Sequence, residues 1–113
     1  MKAGASVEGI GGDRPAKGET VMATFFMFGT YSEDALDEVS AKRTKEFSKA
    51  IEKAGGKVKS IHALLGDVDL VIVVEMPGIE EMMKASATLS RKTGIAFASY
   101  PAVAVEDFDK MME

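Results

Sequence analysis

The segment formed by residues 66–77, GDVDLVIVVEMP, most strongly limits what this chain can fold into. Five consecutive aliphatic residues follow Asp69, most of them β-branched, which is typical of a β-strand. Side chains alternate between the two faces of a strand, so both faces of this strand carry apolar groups. A strand in a small antiparallel sheet normally shows one face to water. The sequence therefore predicts a covering layer on each side of this strand.

The rest of the chain alternates between strand and amphipathic-helix patterns from residue 24 onward. The predicted strands cover residues 24–31, 57–65, 68–75 and 95–100. One helix is predicted from the N-cap Ser32 to about residue 54, a second one after Gly78, and a short one around Phe108. Two strand–helix–strand units in this order predict an α+β ferredoxin-like sandwich, βαββαβ, with a four-stranded antiparallel sheet and both helices on one face.

The second sheet face is predicted to need a partner. A turn at Gly66–Asp67 places Leu64 opposite Asp69 and divides the hairpin side chains between two faces. The more apolar face, predicted to meet the helices, carries Ile61, Ala63, Leu65, Val68, Leu70, Ile72 and Val74. The other face carries Ser60, His62, Leu64, Asp69, Val71, Val73 and Glu75. Exposed apolar patches usually mark interfaces, so a second copy is predicted to pack here through Leu64, Val71 and Val73.

The composition narrows the classes of partner. The chain has 14 Lys and Arg against 18 Asp and Glu, a net charge of -4, which disfavours nucleic acid and anionic membranes. No apolar segment approaches the roughly 20 residues that span a bilayer, and no signal-peptide core opens the chain, so a cytoplasmic protein is expected. Cysteine is absent and His62 is the one histidine, which argues against a metal site; no cofactor is expected.

Residues 1–21 differ in composition from the rest and are predicted to form a flexible N-terminal extension to a domain of residues 22–113. These residues show no regular spacing of apolar side chains. The segment contains Pro15 and the glycines Gly4, Gly9, Gly11, Gly12 and Gly18. Its glycine spacing fits neither a dinucleotide-binding nor a P-loop pattern, so no phosphate site is predicted there.

Three segments resemble the GYD domain family, whose members are small ferredoxin-like proteins related to the dimeric α+β barrel group. They are MATFFMFGTYSEDAL, SAKRTKEF and LLGDVDLVIVVEMP. The resemblance covers about residues 22–113 and implies the fold and a homodimer, without a particular activity. Of the name-giving motif the chain keeps Gly66 and Asp69 but has Val68 where tyrosine is usual. The same hairpin resembles the effector domains of leucine-responsive-type regulators, although 113 residues leave no room for their DNA-binding helix-turn-helix.

Three side chains are candidate ligand-binding residues: Asp69, His62 and Arg43. Asp69, at the strand entry, is either a turn carboxylate that accepts backbone N–H groups or a carboxylate in a pocket. His62 lies diagonal to Asp69 in the predicted register, roughly 7–8 Å away, and is either an acid–base group or a bystander. Arg43 lies in the apolar stripe of the first helix and either packs on its neighbours or binds an anion.

These features predict a homodimeric, or larger homo-oligomeric, ferredoxin-like domain that serves as a small-molecule-binding or assembly module. The alternative is a cofactor-independent enzyme of the dimeric α+β barrel type, with Asp69, His62 and Arg43 around a small acidic or aromatic substrate. A pure protein-interaction subunit is the third interpretation. No catalytic residues are assigned, because no nucleophile–base–orienter set stands out.

Removal of residues 1–21, so that the chain begins at Met22, is expected to leave the melting temperature unchanged. The glycine-rich composition offers little apolar surface to pack against a domain. Calorimetry of the full and shortened chains measures the effect. A drop of several degrees on truncation would show that these residues pack on the domain.

Overall fold

The computed structural model describes residues 21–113, so the extension predicted over residues 1–21 lies almost wholly outside the described part. The elements in chain order are β1 (Ala23–Thr30), α1 (Glu33–Asp37), α2 (Ala41–Lys53), β2 (Lys57–Ala63), β3 (Leu70–Met76), α3 (Ile79–Thr93), β4 (Ala96–Ala102) and α4 (Val105–Met111). The strands form one antiparallel sheet in the order β2-β3-β1-β4. This is the predicted ferredoxin-like α+β arrangement, with the short helix α1 between β1 and α2 and the short helix α4 after β4.

The core lies between one face of the sheet and the helices α2 and α3. The inner strands pair so that Met27 stands opposite Ile72, and both side chains are fully buried. Phe47 from α2 and Leu89 from α3 close over them. Full burial of a side chain of this size contributes about 1.5–3 kcal/mol, so this layer supplies most of the driving force for folding. The predicted assignment of β3, with Leu70, Ile72 and Val74 toward the helices, agrees with their burial.

The predicted place of Leu65 on the helix-facing side is wrong, since its side chain is fully exposed. β2 ends at Ala63, and the N–H of Leu64 donates to the carbonyl oxygen of Asp69 at 2.9 Å. Leu65 therefore lies in the loop beyond the last strand pair, where the alternation of sheet faces no longer applies.

The single helix predicted over residues 32–54 is two helices in the structure. Ser32 caps α1, and its hydroxyl accepts the N–H of Ala35 at 3.0 Å. Ser40 adopts an extended conformation and caps α2 in the same way, by accepting the N–H of Arg43 at 3.1 Å. A serine hydroxyl competes with helix continuation because it bonds to backbone amides two or three residues ahead. Ser40 therefore starts a new helix instead of continuing the first.

Both edge strands carry features that interrupt regular pairing. β2 has an irregularity in its register between Val58 and Ser60, where Lys59 is the extra residue. The ammonium group of Lys59 lies 3.9 Å from the carboxylate of Glu75 on β3. β4 contains Pro101, which has no backbone N–H and is tolerated only at sheet edges or bulges.

Candidate functional site

The predicted site residues lie toward one end of the sandwich, where β1 ends and β3 begins. α2 also begins there, because Arg43 is in its first turn. α3 ends there: a Cβ atom added to Gly94, its C-cap, would lie 3.3 Å from Oγ of Ser32. One end of the domain thus collects two strand ends, the start of a long helix and the end of another.

Asp69 ties the entry of β3 to the exit of β1. Its carboxylate oxygen Oδ2 accepts the backbone N–H of Tyr31 at 2.8 Å. Its own N–H donates to the carbonyl oxygen of Gly29, also at 2.8 Å. These two bonds continue the strand pairing past the last regular residues and use the side chain as the final acceptor. The Asp69 carboxylate therefore accepts a hydrogen bond from the backbone just after β1, a segment that is distant in the sequence.

Arg43 is buried, with 7% of its surface exposed. Its Nη1 donates to the carbonyl oxygen of Ala35 in α1. The guanidinium carbon lies 5.2 Å from the ring centroid of Tyr31 and 6.0 Å from that of Phe47, within the range of cation–π attraction. The apolar stripe on which Arg43 lies explains this burial, because α2 turns that side toward the core.

Tyr31 connects the two candidates, since its N–H bonds to Asp69 and its ring lies beside Arg43. It is absent from the residues that the sequence singles out. Its one sequence signal is an aromatic side chain directly before the N-cap Ser32, a position whose side chain often packs back onto the helix start. The structure thus groups Asp69, Tyr31 and Arg43.

His62 lies apart from this group in its contacts. It is exposed on β2 and pairs with Val71 of β3, which places it on the sheet face away from the helices. No hydrogen bond joins His62 to Asp69 among residues 21–113. Binding roles for these side chains stay predictions.

The open sheet face, defined as the sheet face opposite α2 and α3, is aromatic at its centre. The ring centroids of Phe26 and Phe28 are 6.4 Å apart, and those of Phe28 and Tyr100 are 5.8 Å apart in an edge-to-face arrangement. Phe26 is 37% exposed and Tyr100 56% exposed. Val71, predicted to lie in an interface, is only 8% exposed even in the single chain, and Val73 is half-buried. The exposed apolar surface is therefore mainly aromatic.

Clefts are present in the helix layer as well. One cleft, of about 580 Å³, runs between α2 and α3 and is lined by several lysines and glutamates. A groove of about 460 Å³ between α3 and β4 is lined by Phe25, Phe97 and three serines. A third cleft, of about 420 Å³, contains Arg43. Within residues 21–113 no group of three His, Asp or Glu side chains is placed to hold a metal ion.

None of the helices in the described part of the chain combines the length and apolarity that a bilayer crossing requires.

The fold and the open sheet face define a small ferredoxin-like α+β domain. The family model of the GYD domain matches residues 18–112. The chain therefore belongs to the GYD domain family, as the three sequence segments suggested. No curated protein matches the chain.

Solved structures with a similar fold include two regulators. The leucine response regulatory protein LrpA of Mycobacterium tuberculosis has a TM-score of 0.52 and 15% identity over 73% of this chain. An AsnC family transcriptional regulator from Agrobacterium tumefaciens has a TM-score of 0.52 and 22% identity over 84% of this chain. The match spans 51% and 58% of those chains, respectively. At these identities the likeness establishes a shared fold.

Replacing Asp69 by alanine is expected to lower the free energy of unfolding by about 1–3 kcal/mol, because the Tyr31 N–H loses its acceptor. Asp69→Asn keeps an acceptor oxygen and is expected to cost less. Asp67→Ala is the matched control, since Asp67 is exposed in the same loop and its replacement is expected to change stability by about 0.5 kcal/mol or less. Urea unfolding measures all three. Equal stability of the two alanine variants would contradict the role assigned to Asp69.

Proposed function

We propose that this chain is a homodimeric ligand-binding and assembly module whose protomers pack through their open sheet faces. The observation that carries the proposal is the row of aromatic and aliphatic side chains on that face, which no helix of the described chain covers. Exposed apolar surface of this kind usually marks an interaction site. A two-fold symmetric contact suits it, because the same patch then covers itself.

The proposed contact between protomers is centred on β1 and β3. They are its inner strands, and Phe26 stands opposite Val73 and Tyr100 in the middle of the open face. A second copy placed on this face would remove the remaining exposed surface of these side chains from water, and each would contribute a part of the about 1.5–3 kcal/mol that full burial gives. Aromatic residues are enriched in the cores of protein interfaces, which adds support.

The size of the face suggests that α4 also takes part. Strands of seven or eight residues give the sheet a length of about 23 Å, and four strands give a width of about 19 Å, or roughly 440 Å² in plan. Stable interfaces bury about 800 Å² per partner, which is more than this flat area. α4 buries none of its residues, and its Phe108 and Met111 are exposed. Contacts from α4 would supply the additional apolar area.

The ligand-binding half of the proposal keeps Asp69, His62 and Arg43 as binding residues. Its support is the grouping of Asp69 and Arg43 about Tyr31 at one end of the domain. Two proteins of the same fold have names that state leucine response and transcriptional regulation, which supports a role in responding to a small molecule. The absence of cysteine supports a cytoplasmic location.

The interface is tested by Val73→Glu, which is expected to convert a dimer into monomers. The carboxylate would be buried without a partner between two sheets, at a cost of several kcal/mol. Met83→Glu is the matched control, because Met83 is exposed on α3 in the opposite layer and its replacement should leave the mass unchanged. Light scattering after size-exclusion chromatography measures the mass, and circular dichroism checks folding.

Val73 lies in an inner strand, so its replacement also lowers the stability of the protomer. Tyr100→Glu is therefore the second variant, since Tyr100 is 56% exposed on an edge strand and a folded protomer can accommodate the change. The expected result is a folded monomer for Tyr100→Glu and a dimer for Met83→Glu. A monomeric wild-type protein, or a dimer of normal mass with glutamate at both open-face positions, would overturn the proposed interface.

A further inference from the structure

The cleft around Arg43, named here the Arg43 cleft, lies where α1, the start of α2 and the end of α3 meet. Its volume is about 420 Å³, enough for a small organic molecule. Its charged lining residues are Lys42, Arg43, Lys92, Asp37, Glu38 and Glu46. α2 begins at this cleft, and its first turn contains no acidic residue to balance the positive end of the helix dipole.

Arg43 carries a positive charge that no carboxylate of residues 21–113 neutralises. The ion pair found in that part of the chain joins Lys59 and Glu75, and no acidic oxygen lies within 4.0 Å of the guanidinium. Glu46 lines the same cleft one helical turn after Arg43 and still does not pair with it. A buried charge without an ionic partner is costly, and the cation–π contacts offset only part of that cost.

The hydrogen-bonding capacity of Arg43 is also largely unused. A guanidinium group has five N–H donors in a planar fork, and the described structure uses a bond from Nη1 to the Ala35 carbonyl oxygen. The remaining donors suit a planar group with two acceptor oxygens, which is the geometry of a carboxylate. The burial of the side chain, its charge and its free donors point to the same kind of ligand.

We infer that the Arg43 cleft binds a small monocarboxylate, whose carboxylate group accepts hydrogen bonds from Arg43. The acidic side chains in the same lining, Asp37, Glu38 and Glu46, disfavour a dianion such as phosphate by like-charge repulsion. A ligand with a single negative charge therefore fits the cleft better than a dianion. The inference names the ligand class for the ligand-binding half of the proposed function and does not depend on the sheet-to-sheet dimer.

The test follows the side-chain Nε–Hε NMR signals of the arginines in the full chain during titration with sodium propionate. Arg91, exposed on α3, is the internal control. The Arg43 signal is expected to shift saturably, while the Arg91 signal stays in place. Propionamide, which has the same shape without the charge, and sodium chloride at equal ionic strength are expected to produce no such shift.

Variants separate the guanidinium fork from charge alone. Arg43→Met is expected to weaken propionate binding roughly tenfold to a hundredfold, the effect of losing a hydrogen bond to a charged group. The readout is then the shift of the Tyr31 and Ala35 backbone amides. Arg43→Lys keeps the charge but not the fork, so its binding should also be weaker than wild type. Arg91→Met should bind as the wild type does.

The inference is overturned if the Arg43 signal does not move, moves equally with propionamide or chloride, or moves more strongly with phosphate. It is equally overturned if Arg43→Met or Arg43→Lys binds propionate as tightly as Arg91→Met. Light scattering on the same samples keeps the two proposals separate. A monomer that binds propionate at Arg43 would contradict only the proposed dimer. A dimer that does not bind propionate would contradict only the ligand inferred for the Arg43 cleft.

Discussion

The structure depends on the pairing of β1 with β3 at the centre of the sheet. Inner strands have no free edge, and in this chain both strands carry apolar side chains on both faces. On one face, Met27 and Ile72 are buried beneath α2 and α3. Burial of this kind is non-directional and proportional to area, so the same physics acts on the aromatic side chains of the other face. The helices can cover only one side, and this asymmetry links the fold to the proposed assembly.

Local patterns in the sequence predicted much of this fold. The alternation of side chains in residues 68–75 predicted which sheet face each side chain of β3 occupies. The turn at Gly66–Asp67 predicted the register of β3 with β2. The break at Ser40 was missed because a serine within an amphipathic pattern fits both a helix interior and a cap. The contact between Asp69 and Tyr31 could not be predicted from spacing, since it joins residues 38 positions apart through the strand order.

Arg43 shows how a long charged side chain can be held inside a small domain. The bond to Ala35 and the rings of Tyr31 and Phe47 each contribute about 0.5–3 kcal/mol, against a desolvation cost of several kcal/mol. The helical wheel predicted its place on the apolar stripe, but its hydrogen bond requires the Ala35 carbonyl oxygen of α1 to lie within reach of the guanidinium. That arrangement follows from the same break at Ser40, so one hydroxyl group shapes both the helix pair and the surroundings of the guanidinium.

The interruptions in the two edge strands bear on how far copies of this domain can associate. An unprotected edge would recruit further strands in register, and each added chain would expose a new edge. The bulge at Lys59 and the missing N–H of Pro101 make both edges poor templates for such growth. Contact through sheet faces, in contrast, consumes its own surface once two copies meet. The interrupted edges thus disfavour the open-ended strand addition that leads to fibrous aggregation.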